Sequence, residues 1–228
     1  ESHAVEDGNL NEVVRARFAA FAMRQSTGRA EARGPGVVKM WRRGRGKRAA
    51  LAPTATGKAN QGASTESTGW EYTRIDFANE MLGQQDARSM KFLGQVQVVY
   101  GPVAKPLEII NLDKLPKDGG AMYCDLLDFT QRKVKVPGIT KEEDTVELLA
   151  QGNARLEGQS FFAQAYEISF DETKGLYTLR SQGDQQAMLW RQARAGGRRT
   201  PVVARTFRFI PSQNYVDFGD ASLVQGIQ

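Results

Sequence analysis

The chain holds one cysteine, Cys124, and one histidine, His3, and these two scarcities exclude more than its motifs do. A lone cysteine cannot close an internal disulfide, so the apolar core must hold the fold, which a chain of 228 residues is long enough to build. A lone histidine near the N-terminus leaves no imidazole pair for a metal and no positioned base for a hydroxyl or thiol nucleophile. Eight prolines against 23 glycines suit many short strands joined by turns. No stretch approaches the ~18 apolar residues that a membrane-spanning helix needs. The opening, ESHAVEDGNL, lacks the basic-then-apolar order of a signal peptide, and the ending, SLVQGIQ, stops inside an extended pattern. The expectation is a portion of a longer exported protein.

Charge is unevenly placed. Residues 1–69 carry 12 Lys and Arg against 6 Asp and Glu, a net of +6, while the remainder carries 19 against 20, a net of −1. The excess gathers in Lys39, Arg42, Arg43, Arg45, Lys47 and Arg48. These read either as contacts for phosphate groups on a lipid headgroup or anionic surface, or as a solvated loop tip that keeps a sheet edge soluble. Trp41 sits inside the cluster, but no helix or stacking motif accompanies it, so nucleic acid is not the expected partner.

Along the chain, residues 1–12 read as a loose polar lead-in and 13–228 as one repeat-built domain. Residues 44–69 have Leu51 as their single large apolar side chain and read as a long mobile loop, unable to offset their own ordering entropy. VVRARFAAFAMRQ mixes helix formers with strand alternation and reads as strand. WEYTRIDF and SMKFLGQVQVVYG read as strands joined at GQQD, the apolar run 107–112 as a further short strand, and 131–145 as a charged loop.

A two-part pattern recurs five times. Its first half is a leading residue, usually small, with an apolar residue at +3 and Phe at +5: Ala16/Ala19/Phe21, Tyr72/Ile75/Phe77, Cys124/Leu127/Phe129, Ala165/Ile168/Phe170 and Ala204/Phe207/Phe209. Its second half is a glycine with apolar residues at +2 and +4: Gly28/Ala30/Ala32, Gly94/Val96/Val98, Gly152/Ala154/Leu156, Gly183 with Ala187 displaced, and Gly219/Ala221/Leu223. Leading positions are 56, 52, 41 and 39 residues apart, the variation falling in loops. Each unit is a pair of strands whose apolar face is buried by its neighbours, so the fold class is all-β, built of stacked antiparallel strand repeats.

LLAQGNARLEG followed by FFAQAYEISFDETKGLYTLRSQGDQQAMLWRQ resembles the OstA-like domain of lipopolysaccharide-transport proteins of the LptA and LptC type. FLGQVQVVYG, GAMYCDLLDF, VVARTFRF and DFGDASLVQG carry the same theme, over residues 70–228 and more thinly over 13–46. The resemblance implies a β-jellyroll open at both ends, lying in the periplasm or cell envelope. It also implies an apolar groove that passes the acyl chains of a lipopolysaccharide or related glycolipid. Partners would be other β-jellyroll proteins of an envelope bridge, joined head to tail, or further copies of the chain joined through edge strands. The loops at 44–69 and 131–145 and the basic cluster depart from that pattern.

The inward set is Ile75, Phe77, Val96, Val98, Leu127, Phe129, Leu156, Ile168, Phe170, Phe207 and Phe209. In a closed stack they form an ordinary core; in an open one they line a groove for acyl chains, each buried CH₂ contributing about 0.8 kcal/mol. The alternative is a scaffold whose interior is filled by its own side chains. Enzyme chemistry, cofactors and metals are not expected. Gly44-Arg45-Gly46-Lys47 lacks phosphate-loop spacing, Cys124 has no imidazole to activate it, and Asp125 and Asp128 point to opposite faces of one strand.

Overall fold

A computed structural model describes residues 2–6, 9–43, 69–116, 119–135, 142–158, 161–183, 185–192, 199–210 and 215–219. The long-loop expectation, and with it Arg45, Lys47 and Arg48, lies outside the described residues. The strands are β1 (Ser2–Glu6), β2 (Asn9–Arg17), β3 (Ala20–Arg24), β4 (Arg29–Arg33), β5 (Gly36–Arg43), β6 (Trp70–Phe77), β7 (Glu80–Gln84) and β8 (Ser89–Val103). They continue as β9 (Gly120–Lys135), β10 (Glu142–Gly158), β11 (Phe161–Asp171), β12 (Leu176–Arg180), β13 (Ala187–Gln192), β14 (Arg199–Ala204), β15 (Thr206–Ile210) and β16 (Tyr215–Gly219). Their pairing is antiparallel throughout the described residues, which makes the fold all-β as the alternation requires.

Four long strands, β8 to β11, pair in that order along their whole length across a register shift, and the two outer ones change their other partner there: β8 pairs with β7 along its first part and β6 along its second, β11 with β13 and then β12. Val96 to Tyr100 of β8 face Cys124 to Gly120 of β9, whereas Ser89 to Leu93 face Thr130 to Leu126. The result is two wings. Wing one runs β1-β2-β5-β6, through one half of β8 to β11, to β13 and β14; wing two runs β3-β4-β7, through the other half, to β12, β15 and β16.

The bend between wings explains the repeat. A strand that keeps its face has apolar residues at +2, so a +3 step on one face demands an extra residue at a corner. Cys124 to Leu127 steps over Asp125, and Ala165 to Ile168 over Tyr166, and these two corner residues have no partner in the ladders. Ala204 to Phe207 steps over Arg205, between β14 and β15. On the glycine side, Gly94 and Gln95 take φ +84 and +46, and Gly152 and Asn153 take +77 and +48. The ladders slip register at those pairs.

Two copies behave differently. On unbroken β6 the +3 step from Tyr72 to Ile75 changes face, and Tyr72 belongs to a separate outer cluster. Ala16, Ala19 and Phe21, the first copy, are exposed.

Between the wings lies one apolar cluster fed by β4 to β15. Three glycines make room for rings from the adjoining strand. A Cβ on Gly36 would strike the Phe77 ring, one on Gly120 the Tyr100 ring and one on Gly158 the Phe161 ring. Outside wing one, Val13, Trp41, Trp70, Tyr72 and Val103 form the smaller cluster, with Ile110 packed against it.

Several expectations change. The apolar run 107–112 forms no strand; it belongs to an irregular strap, residues 104–116, ending in a 3-10 turn η1 (Leu112–Lys114). Pro106 removes a ladder donor there, and the Trp41 indole N–H takes the Glu108 carbonyl at 2.7 Å. Within 131–145, residues 131–135 and 142–145 extend β9 and β10 as strand, with Arg132 meeting Glu147 at 3.1 Å, and 136–141 lie outside the described residues. Ser2–Glu6 and Glu80–Gln84 are strands, the first paired with β2 and the second, between β4 and β8, turning Met81 into the apolar cluster.

The corner glycines make a direct test. Gly152→Ala places a Cβ against the Asp125 carboxylate and Gly94→Ala one against the Asn79 amide, both at positive φ, whereas Gly175 at φ +59 has open space. Thermal melts should therefore rank Gly94→Ala and Gly152→Ala, at about 2–3 kcal/mol, well below Gly175→Ala, at about 1 kcal/mol.

Candidate functional site

The eleven inward candidates come together, as faces alternating about the corners dictate. Ten are at most 7 % exposed, and Phe129 is half-buried against the same cluster. Phe77 of wing one meets Phe92 of wing two with ring centroids 5.6 Å apart, and Phe161 of wing one meets Phe209 of wing two at 5.8 Å. The wings thus touch through side chains along a seam, while the backbone joins them at the corners.

The seam reaches both ends of the stack. At one end the rings run from Phe92 and Phe77 to Phe18, 6.1 Å from Phe77, and on to Phe21, stacked at 5.7 Å and 55 % exposed on β3 beside exposed Met23. At the other, fully buried Phe207 meets exposed Phe218 of β16 at 5.5 Å, while exposed Tyr215 falls on the opposite face of that strand. Alternation finds the inward set and also puts Tyr100 on the face of Val96 and Val98, as the shared cluster shows, but it does not find Phe92 or Phe161. Phe92 stands two residues before the corner glycine, and that spacing was its available signal.

Polar groups gather where the wings part. Glu71 lies on the inward parity of β6 with Ile75 and Phe77, paired across the ladder with Arg42, whose guanidinium meets Glu12 at 3.4 Å. Burial, outweighing nearby Arg42, pushes the Glu71 carboxyl up to about 7, and Glu172 adds to the rise. Glu172 starts the β11–β12 turn of wing two, where its Oε2 accepts the Val146 N–H at 2.8 Å and the Thr145 and Thr173 hydroxyls lie 2.9 Å apart. Deeper in, Tyr100 of wing one and Tyr177 of wing two lie side by side, and burial pushes both phenols up.

The three described basic candidates fall on two faces. Arg42 turns toward the seam mouth, while Lys39 and Arg43 lie with Trp41 on the outer face of wing one. Cys124 is buried, and burial followed by Asp125 pushes its thiol up to about 12, which leaves no thiolate nucleophile near neutral pH. Asp125 is exposed, and Asp128 pairs with Lys91 at 3.0 Å.

Glu71 makes stability depend on pH. Its folded pKa lies above the usual 4.5, so its contribution is fully present below about 4.5 and is lost as pH rises through about 7. Denaturant melts should find Glu71→Gln about equal to the wild type at low pH and more stable above neutrality, by on the order of 1 kcal/mol. A parallel pH profile in the two proteins would contradict this placement of Glu71.

No family model matches the chain, and no curated protein sequence matches it. Among solved structures it is similar to that of LptH from Pseudomonas aeruginosa, described as the LptA-homologous periplasmic component of the conserved lipopolysaccharide transport device. The two are 12 % identical over 95 % of this chain and 90 % of that one, with a TM-score of 0.28.

Proposed function

We propose that the chain is a non-enzymatic lipid carrier of the lipopolysaccharide-transport type. It would take the acyl chains of a glycolipid between its two wings in the periplasm or cell envelope. The observation that carries this reading is the exposed ends of the seam: among the described residues its aromatic rows reach Phe21 at one end and Phe218 at the other, both standing in water. A protein that only needs a core seals it with polar end strands.

Entry follows from how the wings are joined. Opening the seam separates side-chain contacts and leaves each wing's ladder intact, with Gly94-Gln95 and Gly152-Asn153 as the bending points. Each acyl CH₂ transferred from water supplies about 0.8 kcal/mol, so a chain of about ten carbons offsets the apolar contacts it displaces. The charges at the mouth, Arg42, Glu12 and Glu71, would stay with a polar headgroup. Among the described residues the outermost strands are β1 and β14 in one wing and β3 and β16 in the other, edges at which copies or kindred sheets would add end to end.

A second reading, a scaffold with a filled interior, is favoured by the burial of ten of the eleven candidates at 7 % exposure or less. Two measurements separate the readings: mass spectrometry of lipid carried through a gentle purification from a Gram-negative host, and titration of the delipidated protein with a fluorescent fatty acid. Carriage predicts bound glycolipid and saturable titration, weakened severalfold by Phe21→Ser/Met23→Ser with an unchanged melting temperature. Absence of both signals would establish the scaffold.

A further inference from the structure

Large apolar side chains stand in water at three places among the described residues. Two are the seam ends. The third is the strap over wing one, where Leu107 is 43 %, Ile109 56 % and Leu112 38 % exposed, on the face of that wing turned away from the seam. Neither lipid carriage nor end-to-end contact uses it.

The strap is held, not loose. The Trp41 Nε1–H donates to the Glu108 carbonyl at 2.7 Å, the Ala104 N–H to Glu108 Oε2 at 3.1 Å and the Asp113 N–H to Asn111 Oδ1 at 3.0 Å. Ile110 packs into the Trp41 and Tyr72 cluster below. Residues 108 and 110 are therefore anchored while 107 and 109, between and beside them, are held outward. Leu107 even takes φ +69, a left-handed conformation that a residue with a Cβ disfavours.

The strap and the face of wing one that it covers carry cations. Lys105 and Lys114 belong to the strap and are exposed. Lys39 and Arg43 flank Trp41 on its own face of β5, and the Arg15 guanidinium lies 5.9 Å from the Trp41 ring. Of the nearby acids, Asp76 is bonded to Arg74, while Glu108 and Asp113 of the strap match Lys105 and Lys114 in number, so the positive excess of this face comes from Arg15, Lys39 and Arg43.

We propose that this strap docks wing one onto an anionic lipid bilayer surface. Leu107, Ile109 and Leu112 enter the boundary between headgroups and acyl chains, and Lys39, Arg43, Lys105 and Lys114 meet lipid phosphates. Three aliphatic side chains on one loop offer much less area than the ~800 Å² per partner that a stable protein interface buries. A bilayer needs no shape complement, only shallow insertion together with opposite charge.

Flotation of the whole chain with vesicles of phosphatidylcholine alone, and of phosphatidylcholine with phosphatidylglycerol, tests the proposal. Binding should be at least ~10-fold stronger to the anionic vesicles and should weaken as salt rises. Leu107→Ser/Ile109→Ser/Leu112→Ser should lower it ~10-fold with an unchanged melt, since those side chains already face water, and Lys105→Glu/Lys114→Glu should remove the preference for anionic lipid. Ile109→Trp keeps the loop and adds a reporter, whose emission should shift to the blue on anionic vesicles only. Phe21→Ser/Met23→Ser, which touches the seam end, should leave vesicle binding intact, so failure of lipid carriage would not register here. The proposal is overturned if the wild type ignores anionic vesicles, or if the triple serine variant binds them equally. It is equally overturned if sedimentation finds a dimer that the serine variant abolishes while vesicles bind neither protein.

Discussion

Two successive left-handed residues, at Gly94-Gln95 and again at Gly152-Asn153, decide how every other strand is arranged. Each pair interrupts a ladder and redirects a strand without ending it, so β8 and β10 belong to both wings, and β9 and β11 follow by pairing with them. The short strands then need only extend one wing or the other. With a Cβ at 94 or 152 the corner would collide with Asn79 or Asp125, which ties the geometry of the fold to two glycines. A seam is the necessary result of such corners. Two faces joined along a bend must meet through side chains alone, and that kind of contact can yield without breaking a hydrogen-bonded ladder.

What could be read beforehand depended on whether a signal was local. Cys124/Leu127/Phe129 and Ala165/Ile168/Phe170 were legible because a +3 step followed by a +2 step marks a corner within one strand. The same spacing at Tyr72/Ile75/Phe77 misleads, since β6 has no corner there and the pattern alone cannot tell an added residue from a change of face. Trp41 and Tyr72 face outward because a strap distant in sequence covers them, as the bond from Trp41 to Glu108 requires, and periodicity carries no trace of that cover. The run 107–112 misled for the matching reason. Its apolar residues are split between an anchor, Ile110, and exposed neighbours, which no two-residue alternation describes. Of the basic cluster, alternation alone separates Arg42 from Lys39 and Arg43, although composition groups them together.

Polarity within the molecule follows the same geometry. Away from the corners the seam is apolar, and charge appears where the wings diverge, at Glu71, Arg42 and Glu12 on one side and Glu172 on the other. A carboxyl raised toward neutrality at that place reflects water excluded by two opposed sheets, not a catalytic assignment. On the outer surfaces the charges are matched within the ladder, as with Arg74 and Asp76 or Arg180 and Glu167. The strap differs, presenting aliphatic tips on the outer face of wing one.

The order of strands across each wing is the order of the chain itself, from β1 and β3 at one end to β14 and β16 at the other. A molecule laid out this way is modular. One hairpin inserted between existing ones would lengthen each wing by two strands, about 10 Å at the usual strand spacing, and leave both terminal faces as they are. Span can therefore change by duplication of a unit without redesign of what the ends recognise, much as a chain of links is lengthened from its middle.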